Sequence, residues 1–138
     1  MFLNLLDPAQ QALFLELARA VTEQDGLLAD SEEALLAAVQ AECMMDEAPA
    51  VRELDAVLED VASSFDAGPA RAVLILELAG VALIDGEAHP AETGVVATVA
   101  DRIDMSPGRL QECFAFADRA RTLIVDGQAL IATADGVS

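Results

Sequence analysis

The chain contains no lysine, no tryptophan and no tyrosine, and its only histidine is His89. Seven arginines stand against 25 acidic side chains, so the formal net charge is −18. Phosphate groups are bound through Lys and Arg, so this charge balance argues against nucleic acid and anionic membrane surfaces as ligands. The same absences argue against catalysis. The chain has no lysine for a Schiff base, no aromatic hydroxyl or indole to stack on sugars, and no Glu-x-x-His pair for a di-iron bundle.

Cysteine is also scarce. Cys43 and Cys113 lie 70 residues apart and match no metal or redox spacing, so we expect both to be reduced and buried in a structural role. The first residues, 1–6, have no basic region and no cleavage site, which predicts a cytoplasmic protein. The apolar segment 72–84 holds 13 residues with one charge. A bilayer needs about 20, so we expect no insertion into a membrane.

Apolar residues are abundant, at 54%, and they recur at the three-to-four spacing of helices. The sequence therefore predicts an all-α fold, a compact bundle of about six to seven helices in a single domain covering residues 1–138. The five prolines fall where helices are expected to begin. The predicted helices lie near residues 8–24, 30–45, 49–65, 69–84, 90–104 and 107–125. Residues 126–138 are expected to form a weakly ordered tail.

Helix starts and buried faces can be predicted residue by residue. Asp7 and Ser106 are expected to cap helices, and Asp30 with Glu33 is typical of a capping box. Segment 72–84 is apolar on nearly all sides, which places it at the centre of the bundle. The other predicted helices each carry one apolar stripe. These stripes include Phe14, Leu17, Ala18 and Val21; Leu35, Leu36, Val39 and Cys43; Val51, Leu54, Leu58, Val61 and Phe65; Val95, Val96, Val99 and Ile103; and Leu110, Phe114, Ala117 and Leu123.

The central segment ends abruptly at Asp85 and Gly86. Gly takes the left-handed conformation that closes a helix, and Pro90 suits the first position of the next one. Carboxylates of Asp85, Glu87 and Glu92 are therefore expected at one corner, beside the N–H groups of a helix start. His89, just before that start, is expected to cap it rather than to bind a ligand.

Shifting the sequence by 60 residues superimposes a second corner on this one. Asp25 falls on Asp85, Glu32 falls on Glu92, and the neighbouring apolar positions also coincide. The shared pattern is Asp-Gly followed by Glu at the next helix start. This pattern predicts a duplicated two-helix unit, whose pseudo-twofold packing would bring both acidic corners together.

The pattern resembles the tellurite-resistance TerB-like family, which includes a region of a membrane-anchored co-chaperone. The resemblance covers residues 12–116 and depends on the segments 21–26 with Glu32, 81–92 and 103–110. It implies an all-helical bundle whose clustered acidic residues bind divalent metal. It also implies a role in metal, chemical or phage stress, with a basic or membrane-associated stress-response protein as partner.

A metal site at the paired corners would use the carboxylates of Asp25, Glu32, Asp85 and Glu92. It is not an EF-hand, because Val21, Val81 and Leu83 would occupy three of the positions that need oxygen ligands. Oxygen ligands alone suit Ca²⁺, Mg²⁺ or Mn²⁺. A purely structural role explains the same residues. Asp bonds to the backbone of its own turn, and Glu in a first turn is favoured by about 0.3–1 kcal/mol.

Two hypotheses for the function follow. The first is a non-enzymatic TerB-like domain that binds a divalent cation in a stress response. The second is an acidic interaction module that docks a basic protein without metal. Glu77, the one charge in the central segment, is expected to reach the surface or to pair with an arginine, because an unpaired buried carboxylate is costly. The oligomeric state stays open at this point.

Overall fold

The computed structural model describes residues 1–23, 30–66, 68–84 and 89–133, and in α2 it describes side chains only from residue 33 onward. Within these ranges the chain is all-helical, as predicted, and forms a compact bundle without strands. A short 3₁₀ turn at Leu3–Leu5 precedes six α-helices. These are α1 (Pro8–Thr22), α2 (Asp30–Glu42), α3 (Leu54–Ser64), α4 (Gly68–Ala82), α5 (Pro90–Arg102) and α6 (Pro107–Thr133).

Helix α4 lies at the centre of the bundle, as its sequence predicted. It packs against α1, α5, α6 and the 3₁₀ turn, so neighbours cover most of its circumference. Its fully buried side chains are Leu74, Ile75, Leu78, Ala79 and Ala82. A helix that is apolar nearly all round gains most from this position, because burying each large aliphatic side chain stabilises the fold by about 1.5–3 kcal/mol.

The predicted caps of α1 and α6 are confirmed. The Asp7 carboxylate accepts the Gln10 N–H at 2.8 Å, and the Gln10 side chain accepts the Asp7 N–H at 3.0 Å. Ser106 Oγ accepts the Arg109 N–H at 3.2 Å. Each of these bonds satisfies an N–H group that the first helical turn leaves unpaired. The side chain of Asp30, the other predicted cap, lies outside the described part.

The prediction that a helix begins at Pro49 is wrong. Helix α3 begins at Leu54, and Val51, which was assigned to its buried stripe, is 72% exposed. A tertiary contact explains the difference. The Arg52 guanidinium donates to the Glu16 carboxylate of α1 at 2.8 and 2.9 Å and to the Asp60 carboxylate of α3 at 2.8 Å. These bonds hold the segment just before α3 against both helices. This bridge depends on residues 36 and 8 positions away, so local spacing does not predict it.

The helix bounds repeat at the 60-residue offset seen in the sequence. Helices α1 and α4 each span 15 residues, and α2 and α5 each span 13, with every start and end displaced by 60. The ends of α2 and α5 also match. Met44 and Asp104 both have φ of 57°, and the next N–H bonds back into the helix, as in a Schellman motif. The packing differs, because α5 contacts α1, α3 and α4 whereas α2 packs mainly on α1.

Helix α6 is longer than predicted. It continues through Asp126 and Gly127 to Thr133, past the predicted end at residue 125 and into the expected tail. Leu123, which was assigned to its buried stripe, is 72% exposed. An Asp-Gly pair does not end a helix by itself, because Gly inside a helix costs only about 1 kcal/mol relative to Ala. None of the described helices is both long enough and apolar enough to cross a membrane.

Candidate functional site

Of the four predicted metal ligands, the structure describes the side chain of one. Asp25 and Asp85 lie outside the described residues. Glu32 belongs to the first turn of α2, but its side chain lies outside the described part. Glu92 is in the first turn of α5, as predicted. The proximity of the two corners therefore stays a prediction.

Glu92 is 6% exposed. It is three, four and seven residues before Val95, Val96 and Val99, so it belongs to the same buried stripe of α5. Among the described residues, only Glu92 and Thr22 are buried and polar. Burying a carboxylate is costly unless other groups compensate it, and the start of α5 contributes part of this compensation through its N–H groups. The sequence placed Glu92 at the helix start but did not predict that it points into the core.

The described residues next to the Asp85 corner are tied to α4 and α5. Leu83, just after α4, is buried and donates its N–H to the Ala79 carbonyl at 3.1 Å. His89 takes the N-cap position of α5, as predicted, and its carbonyl accepts the Thr93 N–H at 3.0 Å. Its imidazole does not form a side-chain cap bond.

Outside this corner, the described residues contain no group of three His, Cys, Asp or Glu side chains arranged to hold a metal ion. The side chains of Asp25, Glu32 and Asp85 lie outside those residues, so the corner site stays a prediction. Cys43 and Cys113 are free thiols, half-buried and buried respectively. Burial raises the pKa of both thiols, which keeps them protonated and unreactive at neutral pH.

A polar groove of about 730 Å³ lies between α1, α2 and residues 48–54. Charged side chains line it, including Arg19, Glu23, Glu33 and Arg52. The Arg52 guanidinium donates hydrogen bonds to the carboxylates of Glu16 and Asp60, and these bonds raise the pKa of Arg52. No local sequence pattern predicts this groove, because it forms where the irregular segment before α3 lies against α1 and α2.

A second groove, of about 450 Å³, is apolar and lies between α4, α6 and the first two residues. Gly80, Phe116 and Ile124 line it. At its edge the Glu77 carboxylate accepts the Phe2 N–H at 2.6 Å and pairs with the α-amino group of Met1 at 3.0 Å. Glu77 was expected at the surface or beside an arginine. Its side chain is instead mostly buried, and it pairs with the α-amino group of Met1 rather than with an arginine.

Comparison of the chain with protein-family models, with curated proteins and with solved structures gave no match.

Proposed function

We propose that this chain is a non-enzymatic, TerB-like helical domain that binds a divalent cation at its acidic corner as part of a metal, chemical or phage stress response. The proposed ligands are the carboxylates of Asp25, Glu32, Asp85 and Glu92. Oxygen ligands favour Ca²⁺, Mg²⁺ or Mn²⁺ over softer metals. The family resemblance of the two Asp-Gly corners supports the assignment.

The observation that carries this proposal is the burial of Glu92. A surface carboxylate in a first helical turn needs no explanation, since the helix dipole favours it there. Glu92 is instead 6% exposed and belongs to a valine stripe of α5. The proposed cation would bind this carboxylate together with the other three and relieve the repulsion among the four acids.

Thermal or urea melts with and without Ca²⁺, Mg²⁺ and Mn²⁺, after treatment with a chelator, test the proposal. A cation that binds only the folded state should add about 2.7 kcal/mol at 100 times its dissociation constant. We expect Glu92→Gln to abolish the added stability and Glu33→Gln, at an exposed position of α2, to retain it. The proposal fails if no cation shifts the melt, or if Asp25→Ala with Asp85→Ala leaves the shift unchanged.

A specific observation also favours the second function, an acidic module that docks a basic protein. Residues 33–66 carry nine acidic side chains and one arginine. All nine acids are exposed: Glu33, Glu42, Asp46, Glu47, Glu53, Asp55, Glu59, Asp60 and Asp66. A surface that carries mainly negative charge attracts positively charged partners, and added salt screens that attraction.

A polyarginine peptide serves as a defined probe of this second function. We expect it to bind the native chain at low salt and to dissociate at moderate salt. Asp55→Asn with Glu59→Gln should weaken binding, whereas Glu112→Gln, an acid of α6 outside the 33–66 segment, should not. Equal binding by both variants would contradict a basic-partner site on α2 and α3.

A further inference from the structure

The second half of α6 carries an apolar face that the bundle leaves largely uncovered. Eight residues define this face, here called the α6 strip: Phe116, Ala117, Ala120, Leu123, Ile124, Gly127, Leu130 and Ile131. Within this strip the residues 116, 120, 123, 127 and 130 are spaced alternately by four and three, which is the heptad pattern of helices that pair along their length. Ala117 is buried against α4, but Leu123, Leu130 and Ile131 are 72%, 73% and 78% exposed.

The length of α6 explains why the strip is uncovered. At about 1.5 Å per residue its 27 residues extend about 40 Å, whereas the 15 residues of α4 extend about 22 Å. The last turns of α6 therefore run beyond the helix on which it packs. Large apolar faces of this kind on soluble proteins mark interaction sites.

Charge indicates what covers the strip. The whole chain has a net charge of −18, yet α6 is neutral, with three of the seven arginines balanced by three acids. These are Arg109, Arg119 and Arg121 against Glu112, Asp118 and Asp126. A second copy of this strongly acidic chain would be repelled at residues 33–66, but not at α6. A basic partner, in contrast, would gain no electrostatic attraction at α6.

We propose that two copies of this chain associate through the α6 strip, with their α6 helices antiparallel about a twofold axis near residues 121 and 122. In this register Phe116 lies opposite Gly127 of the second copy, and Leu123 lies opposite Ala120 of the second copy. Large side chains thus meet small ones on both sides of the axis, as a self-complementary interface requires. This association is independent of the cation site.

The charged residues beside the strip fit the same register. Arg119 and Asp126 flank the strip on the same edge, seven residues and therefore about 10 Å apart along the helix axis. That separation prevents a bond between them within one helix. In the antiparallel pair, Arg119 of each copy faces Asp126 of the other, so the interface gains two opposite-charge contacts along this edge.

Gly127 is the position at which the proposed register makes its most specific contact. A Cβ atom built on Gly127 would meet nothing within 4 Å in the single copy, as at the other described glycines. In the proposed dimer the ring of Phe116 from the second copy would occupy this space.

Sedimentation equilibrium over a range of protein concentrations tests the proposal. We expect the native chain to form a dimer, and Leu130→Gln to weaken the dimer at least about tenfold. Ala129→Gln, at an exposed position of the next helix face, should not change it. Far-UV circular dichroism of each variant checks that α6 still forms. A native chain that is monomeric throughout would overturn the proposal, and so would a dimer insensitive to Leu130→Gln.

Charge reversal tests the register separately. Arg119→Asp and Asp126→Arg should each weaken the dimer, because each places like charges opposite one another. The double variant should restore the dimer, since the contacts are re-formed with their signs exchanged. If the double variant stays as weak as the single ones, the antiparallel register is wrong.

Discussion

Helix α4 and the second half of α6 are both rich in large aliphatic residues, yet their surroundings differ completely. Three helices and the 3₁₀ turn cover α4. In residues 120–133 of α6 most of the apolar side chains are exposed, although Ala120, Ile124 and Val125 line a groove with α4. The comparison shows that apolar content does not decide burial. Burial depends on how many elements pack against a helix, and within a single copy the second half of α6 has too few neighbours to cover its apolar side chains.

The largest expected difference comes from the same substitution in the two regions. Leu78→Ala in α4 removes a fully buried side chain and should lower the free energy of unfolding by about 2–5 kcal/mol. Leu130→Ala in α6 should change it by no more than about 0.5 kcal/mol at protein concentrations low enough to keep the chain monomeric. Urea denaturation of both variants measures this. Similar losses would mean that the end of α6 is covered within one copy.

Glu77 extends the comparison to a charged residue of α4. Its carboxylate is mostly buried and accepts the Phe2 N–H, so Glu77→Ala leaves a donor without its partner and should cost about 1–3 kcal/mol. Glu42 pairs with the same α-amino group at 3.3 Å but is more exposed, so Glu42→Ala should cost only about 0–1 kcal/mol. Thermal melts compare the two. A larger loss for Glu42→Ala would contradict the assigned burial.

Two glycines give a smaller and sharper contrast. A Cβ atom at Gly80 in α4 or at Gly127 in α6 would meet nothing within 4 Å. Either Gly→Ala change should therefore stabilise the single copy, by up to about 1 kcal/mol, through higher helix propensity. Gly127→Ala should in addition weaken the dimer, because it fills the space opposite Phe116. Urea melts at low concentration and sedimentation together separate these effects. A dimer strengthened by Gly127→Ala would contradict the assigned register.

The smallest effect concerns the thiols. Burial raises the pKa of Cys113, and burial together with the charges of Glu42 and Glu77 raises the pKa of Cys43. A thiol whose pKa is raised in the folded state favours folding below its unfolded pKa, and this contribution is lost as pH rises through the folded value. Iodoacetamide should therefore react slowly with the native protein at pH 7–8 and faster above pH 9. Rapid reaction at neutral pH would contradict this burial.

Local chemistry was enough to predict most of the fold. The starts of α1, α2, α4 and α5 follow from caps and prolines close to the observed bounds, and the buried stripe of α5 follows from its valines. The start of α3 could not be predicted from local chemistry, because the Arg52 bridge depends on residues distant in the sequence. The end of α6 could not be predicted in the same way, because residues 126–138 were expected to form a weakly ordered tail, whereas the helix formers around Gly127 carry the helix to Thr133.

The candidate sites were less predictable than the fold. Helix-start chemistry correctly placed Glu92 in the first turn of α5. Its burial depends on how α5 packs on its neighbours, which the local pattern does not contain. Leu123 was assigned to the core stripe of α6, because a stripe that faces its own bundle and one that faces solvent or a second copy have the same spacing.

The most direct test of the central claim is the melting temperature of the native chain over a roughly hundredfold range of protein concentration. If two copies fold against each other through α6, mass action stabilises the dimer and the melting temperature should rise with concentration. Leu130→Gln should remove this dependence. A melting temperature that stays constant across the range would contradict the claim that a second copy covers the α6 strip.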